Sequence, residues 1–334
     1  MMRETKVQIG NSGLRDTGLC MEWDQQKAPE LALGGLIGVS IELQRVFSLI
    51  RRVSSHSYPL LILGEIGTGK EVAARVIHSL GQRKDKPFVA IDCGSLAPTL
   101  IESELFGHER GAFSEALQTK PGLVYAADHG TLLLDEIDEL PSYLQAKLLR
   151  VLQEEEFRPI GSTHHKSLNA RIIAATHRDL VTQVKAGSFR EDLYFRLNVV
   201  QINMPPLRER KTDIPLLVDF FIEKHIEAES RIELSEAALK RLIAYDWPGN
   251  VRELENTVRR GFAVASSSKV EAADLGLDFC EGALDNYESL PLNELERCTI
   301  LRALDETLGD KISAARVLGV GQTTLNRRLK YYGL

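Results

Sequence analysis

The sequence predicts an α/β fold with a parallel sheet core, a smaller helical subdomain and an all-α helix-turn-helix tail. Three stretches carry that prediction. Leu60-Leu61-Ile62-Leu63 runs into Gly64-Glu65-Ile66-Gly67-Thr68-Gly69-Lys70-Glu71 and then into the helical Val72-Ala73-Ala74-Arg75-Val76-Ile77, giving strand, glycine loop and helix in succession. Thr131 to Leu134 is a second, fully apolar strand that ends in the adjacent carboxylates Asp135 and Glu136. Lys311 to Leu334 holds basic residues and no Asp or Glu, although the whole chain carries a formal charge of −6.

Composition narrows the class. With 334 residues, 43% apolar and 26% charged, the chain has the make-up of a soluble globular protein of roughly two domains. The acidic balance means that any nucleic acid must be met by a local basic patch. Cys20, Cys93, Cys280 and Cys298 lie far apart with no C-x-x-C spacing, which supports neither a zinc site nor a disulfide framework. The N-terminus lacks an apolar signal core, and no run approaches the ~20 apolar residues of a membrane span, so a cytoplasmic location is expected.

Taken in order, residues 1–35 show no sustained periodicity and are expected to form a short flexible lead-in. A core is expected over 36–203. Leu43, Val46, Phe47 and Ile50 share one helical face. The glycine loop that follows fits G-x-x-x-x-G-K-[ST] except at its last position, where Glu71 stands. Its glycines let backbone N–H groups surround phosphate oxygens, the helix N-terminus adds positive partial charge, and Lys70 reaches the outer phosphates. A plain strand-to-helix turn is the alternative. Glu71 would meet Mg²⁺ as a carboxylate rather than a hydroxyl.

Phe88 to Asp92 reads as a further strand. In the stretch that follows, Phe113 is framed by Gly111, Ala112 and Ala116, with Ser114 and Glu115 between, which suits an exposed tip better than a core; an ordinary surface loop is the other reading. Asp135 and Glu136 sit where open α/β sheets bind ligands, and two roles are available there: Asp135 can hold Mg²⁺ directly or through water, and Glu136 can polarise the attacking water; a solvated acidic turn is the alternative. A helix over Gln145 to Glu155 and a hairpin carrying His164-His165 come next, with no chemistry assigned to the histidines. Arg171 to His177 is a strand with a polar end, from which His177 can sense the γ-phosphate or position water; a purely structural histidine is the alternative. Arg190 and Arg196 lie on a helical FREDLYFRLNV stretch, offering either cations for a phosphoryl-transfer site or surface ion pairs with Glu191 and Asp192.

Prolines and charges from Met204 onward mark a helical lid over 204–275, with helices near Leu216 to His225, Glu236 to Ala244 and Val251 to Ala265. Arg252 opens the last, either reaching a nucleotide or pairing at the surface. An acidic, turn-rich linker is expected over 276–291, then a DNA-binding domain over 292–334 that begins with a helix bearing Leu292, Leu295, Leu301, Leu304 and Leu308. A break at Gly319-Val320-Gly321 separates two short helices. Gln322, Thr323, Thr324, Asn326, Arg327, Arg328 and Lys330 are the DNA-facing candidates. A cationic hairpin docking on protein is the alternative.

Assembled, these residues resemble the central and C-terminal parts of a bacterial sigma-54-dependent activator, an enhancer-binding protein of the AAA+ class, from residue 36 to 334. GEIGTGKE resembles the family's GESGTGKE, final Glu included; TLLLDE is similar to its Walker B strand, AATHRDL to sensor I, FREDLYFRLNV to the arginine-finger segment, WPGNVRELEN to sensor II, and the tail to a Fis-type helix-turn-helix. The resemblance implies an AAA+ P-loop ATPase using ATP and Mg²⁺, assembled as a homo-oligomeric ring, commonly a hexamer. Lys70, Asp135 and Glu136 of one subunit would face Arg190 and Arg196 of the next. It also implies binding to double-stranded DNA at an upstream enhancer, and a loop from Gly111 to Ala116 that presses on the sigma-54 RNA polymerase holoenzyme to remodel the closed promoter complex. No membrane is implied.

The chain departs from the family in two ways. Its loop reads GAFSEA against GAFTGA, so Ser114 keeps a hydroxyl and Glu115 adds charge and removes backbone freedom. No receiver domain precedes residue 36, so control is expected from a regulatory protein in trans, expression level or assembly. An AAA+ DNA-binding regulator that does not remodel sigma-54, and an AAA+ remodeller of protein or replication complexes, stay open as alternatives; Glu115 bears on the first and site-specific DNA binding on the second.

Overall fold

Five apolar runs form one sheet: β1 (Leu60–Leu63), β2 (Phe88–Asp92), β3 (Thr131–Asp135), β4 (Arg171–Thr176) and β5 (Val200–Asn203). Their order is β5-β1-β4-β3-β2, and every pairing is parallel. This is a computed structural model that describes residues 32–95, 100–113, 116–225, 233–265, 269–277, 300, 303–304, 307 and 310–332. Strands β1, β3 and β4 are buried almost throughout, as the continuous apolar runs of a sheet covered on both faces require. Alternate residues feed opposite layers. Leu61, Leu132, Leu134 and Ala174 join one apolar cluster; Leu60, Ile62, Leu133 and Ala175 join the other.

Helices α1 (Ile41–Ser54) and α2 (Lys70–Ser79) cover the second cluster, while α3 (Ser142–Glu154) and α4 (Glu191–Leu197) contribute to the first. Helix α3 starts earlier than its apolar spacing suggested, with Pro141 at its N-cap accepting the N–H groups of Leu144 and Gln145 on its carbonyl. Helix α1 is fastened at both ends by distant residues. At the N-terminus the fully buried Asp213 accepts from the N–H of Val39 (2.7 Å) and of Ser40 (2.8 Å) and from the Ser40 hydroxyl (2.7 Å). Gly38 permits that approach, since a Cβ there would strike the Asp213 carboxylate. At the C-terminus Arg171 donates to Ser54 O (3.1 Å) and Val53 O (2.7 Å). Burial, with the Arg83 charge adding to it, pushes Arg171 down to about 10.

By compactness the chain divides in two: one unit runs to Leu217 and takes in Gly249–Val251, and the other holds Val218–Pro248 and the chain from Arg252 on. The second unit contains most of α5 (Ile214–His225) and of α7 (Asn250–Val264), with all of α6 (Glu236–Ala244). Trp247, fully buried, donates its indole N–H to Leu242 O at 2.8 Å and so closes the turn after α6. Toward the C-terminus α8 (Lys311–Val317) and α9 (Gln322–Tyr332) flank a turn with Gly319 at φ +66°. Ala314, Ala315, Leu325 and Leu329 form their shared apolar contact with Ile300 and Ala303. Of the helix expected before them, only Leu304 among the named leucines lies within the described residues; the expected linker falls almost wholly outside. Among the described residues no helix is long and apolar enough to cross a membrane.

Two stability outcomes follow from this wiring. Asp213→Ala strands a buried and a part-buried N–H group and a buried hydroxyl, so urea denaturation is expected to show a loss of about 3 kcal/mol, with Asp213→Asn costing less. In α5, burial and then the Glu223 charge push the Asp219 carboxyl up to about 6. Its folded pKa is above the ordinary one, so its stabilising effect is full at low pH and is lost as pH rises through about 6. Asp219→Asn should therefore raise Tm at pH 7.5, by a margin that shrinks as the pH is lowered to 5.

Candidate active site

Parallel register carries the strand ends to one edge. Thr176 of β4 is level with Leu63 of β1, and Asp92 of β2 with Asp135 of β3. The loop leaving β1 at Gly64 therefore emerges beside the polar ends of β4 and β3, and Gly64 N–H donates to Thr176 O at 3.3 Å. Gly67 (φ +78°) and Gly69 (φ +99°) take backbone conformations that side chains disfavour, and Gly69 delivers Lys70 to the first turn of α2. Lys70 is buried in the loop, donating its Nζ to Gly64 O at 2.9 Å and to Glu65 O at 3.4 Å.

The carboxylates stand opposite. Burial first, and then the Glu136 charge, hold the Asp135 carboxyl above the usual range; Oδ1 accepts the Glu136 N–H at 3.0 Å. Glu136 occupies the left-handed region (φ +49°), an uncommon place for a residue with a side chain. Its Oε2 lies 2.6 Å from His177 Nδ1 and its Oε1 3.8 Å from Lys70 Nζ. Asp138, unremarked in the sequence, braces the cluster: it accepts from the Thr176 hydroxyl, and Arg178 Nε lies 3.4 Å from its other oxygen. Glu136, Asp138 and His177 offer ligand atoms within 4.8 Å of one another. A loop lysine, two adjacent carboxylates and a histidine thus converge at one edge of the sheet.

Other expected residues lie elsewhere. Glu71 points along α2 to Arg75 (2.7 Å), an exposed i,i+4 pair. Arg190 is not within a helix; it caps α4 in an extended conformation and pairs with both oxygens of Asp192 (3.0 and 2.7 Å). The acidic pair Glu191-Asp192 at the helix start favours that boundary. Arg196 does lie in α4 and donates to Leu152 O (2.8 and 3.1 Å). Arg252 is in the first turn of α7, one residue beyond the segment that folds with the sheet.

The Gly111 to Ala116 loop tops a short ladder, Gly107–His108 against Lys120–Pro121. Gly111 N–H donates to Ala116 O at 2.8 Å, and the half-exposed Phe113 ring sits edge-on to His108 at 4.9 Å. Ser114 and Glu115 lie outside the described residues. The neighbouring hairpin buttresses this ladder through Glu109 N–H to Ile160 O and Ile160 N–H to Gly107 O, both 2.9 Å. On α9, Gln322, Asn326 and Arg327 are exposed, Thr324 and Arg328 half-buried, and the side chains of Thr323 and Lys330 lie outside the described part.

Asn250, Arg208 and Arg210 hydrogen-bond to the glycine loop, and no sequence motif marks them for that role; Arg208 and Arg210 fall in a run of charge. Such a dense run of charge immediately after the last strand was the available signal.

Residues 36–203 match the sigma-54 interaction domain family, 208–289 the AAA+ ATPase lid domain and 291–332 the Fis family of bacterial regulatory proteins. The transcriptional regulatory protein ZraR of Salmonella typhimurium is 43% identical over 300 residues, covering 88% of this chain and 68% of that protein. The response regulator PilR of Pseudomonas aeruginosa is 40% identical over 312 residues, covering 90% and 70%. The crystal structure of NtrX from Brucella abortus in complex with ADP superposes with a TM-score of 0.68 at 32% identity, covering 90% of this chain and 69% of that one. The chain belongs to the sigma-54-dependent transcriptional activators, with an AAA+ P-loop ATPase core, a lid and a Fis-type DNA-binding domain.

Proposed function

We propose that this ATPase hydrolyses ATP at the edge where Lys70, Asp135, Glu136 and His177 converge, in a ring whose neighbouring subunit completes each site. The convergence of those four residues beside a loop of free backbone amides carries the reading. Asp135 and Glu136 fit a divalent cation: burial and mutual repulsion raise the Asp135 carboxyl, a cost that Mg²⁺ would relieve. Mg²⁺ so held would neutralise charge on the phosphates. Lys70 exchanges the loop carbonyls for phosphate oxygens. Glu136 releases His177 and orients the attacking water, while His177 stays near to report the state of the outer phosphate.

Arg190 and Arg196 belong to the neighbour's site in this reading. Both make their described contacts away from their own glycine loop, and Arg190 is about half exposed at the start of α4, which also carries the exposed Phe195. A ring, commonly a hexamer in this family, brings them to the next subunit's phosphates, where cations stabilise the transition state. The cycle then works the Gly111 to Ala116 loop against sigma-54 within the RNA polymerase holoenzyme, and α9 holds the assembly at an upstream DNA site. In this reading the core spans 36–203, the lid 204–275 and the DNA-binding domain 292–334.

Mixing two inactive variants tests the shared site. Glu136→Gln and Arg190→Ala are each expected to hydrolyse ATP at least 100-fold more slowly than wild type. Mixed in equal amounts, they should recover a measurable part of the activity, because some interfaces then join an intact Glu136 to an intact Arg190. No recovery at any ratio would contradict a site built across subunits. For the tail, Arg327→Ala should weaken binding to the protein's operator and reduce the salt slope by about one if it contacts phosphate.

A further inference from the structure

The carbonyls of the phosphate loop are each held by a donor, and three of those donors come from distant sequence. Asn250 Nδ2 donates to Ile66 O at 3.0 Å, Val251 N–H to Gly67 O at 3.0 Å, and Arg210 Nη2 to Thr68 O at 3.0 Å. Gly64 O and Glu65 O are taken by Lys70, and Glu65 O also accepts from the Thr68 hydroxyl at 2.8 Å. The opposite groups are free: the N–H groups of Ile66, Gly67 and Gly69 have no acceptor among the described residues. The two observations are linked by peptide geometry. In a trans peptide the C=O and the following N–H point in opposite directions, and the described chain has no cis peptide bond. Fixing the carbonyls of Ile66 and Thr68 from one side therefore turns the amides of Gly67 and Gly69 to the other.

Asn250 is built for the task. It is fully buried, takes a left-handed conformation (φ +54°), and accepts the Leu207 N–H on Oδ1 at 2.7 Å. Its Nδ2 reaches Glu65 Oε2 at 3.1 Å as well as Ile66 O. Arg208 grips the same carboxylate with both Nη atoms, at 2.6 and 2.8 Å. The Arg208 hydrogen bond holds the Glu65 carboxyl below its usual range, against the opposing effect of burial. Although Glu65 lies in the nucleotide loop, its side chain is a tie and not a ligand.

We propose that Asn250, Arg210 and the Glu65–Arg208 pair are positioning residues that pre-organise the phosphate cradle by anchoring its carbonyls, so that polyphosphate meets amides already aimed at it. This rests on the reading that the loop binds ATP. Pre-organisation removes the ordering cost from the binding step, so its loss appears in affinity before it appears in turnover.

The experiment compares Asn250→Ala, Glu65→Ala, Arg208→Ala, Arg208→Lys and the double variant Glu65→Ala/Arg208→Ala with wild type and Lys70→Ala. Binding of ATP and of inorganic tripolyphosphate is measured by competition against a fluorescent ADP, together with steady-state ATPase and thermal melting. Glu65 and Arg208 are each about two-fifths exposed, so their variants are expected to fold even if Asn250→Ala does not. The expected result is a roughly 10-fold weaker Kd for ATP and tripolyphosphate alike in Asn250→Ala and Glu65→Ala, with KM raised and kcat within about 3-fold of wild type. Arg208→Lys should recover part of the loss seen in Arg208→Ala, and the double variant should be no worse than the poorer single. If wild type binds and Lys70→Ala does not, yet the Asn250 and Glu65 variants bind like wild type, the inference is overturned while the nucleotide site stands. If Lys70→Ala binds as wild type does, the loop reading itself has failed. A fall in kcat at unchanged KM would also contradict the proposal.

Discussion

The parallel pairing of β1, β4 and β3 is the constraint on which the site depends. Because these strands run the same way and in register, everything that follows them emerges at one edge: the glycine loop after Leu63, the carboxylates after Leu134 and His177 after Thr176. A one-residue slip of β4 would exchange the faces served by Ile173 and Ala174, and both apolar layers oppose it. The energy that fixes register is thus the energy of the core, and the site inherits its accuracy from packing rather than from its own contacts.

Polar ties then refine what packing provides. The segment from Leu207 to Asp213 serves two elements at once, since Arg208 and Arg210 hold the phosphate loop while Asp213 caps α1. Burying Arg210 and Asp213 is costly unless each finds partners, and they do so over sequence distances that no local pattern reveals. The same logic governs Lys70 and Glu136, which satisfy each other, the loop carbonyls and His177.

Much of this was legible in the sequence where residues that act together are also contiguous. The loop from Gly64 to Glu71 and the strand ending at Asp135-Glu136 announce themselves, because glycines, lysine and carboxylates stand at fixed offsets from apolar runs. The two short helices flanking Gly319 were legible from their apolar faces and the glycine break. What sequence could not display were partners chosen by the fold. Asn250 and Glu65 are separated by 185 positions, and Ser40 and Asp213 by 173. Arg190 illustrates a subtler limit: periodicity placed it within a helix, and only the ion pair with Asp192 and the extended backbone show it at the cap.

The central claim is that hydrolysis at this edge drives work on a promoter. The most direct test is opening of a sigma-54 promoter by the purified protein with ATP, comparing wild type with Glu136→Gln and Glu115→Gly. The account predicts melting by wild type that disappears in Glu136→Gln. Melting by Glu115→Gly alone, with wild type inert despite full ATPase activity, would contradict it and would leave a DNA-binding ATPase whose loop no longer engages the polymerase.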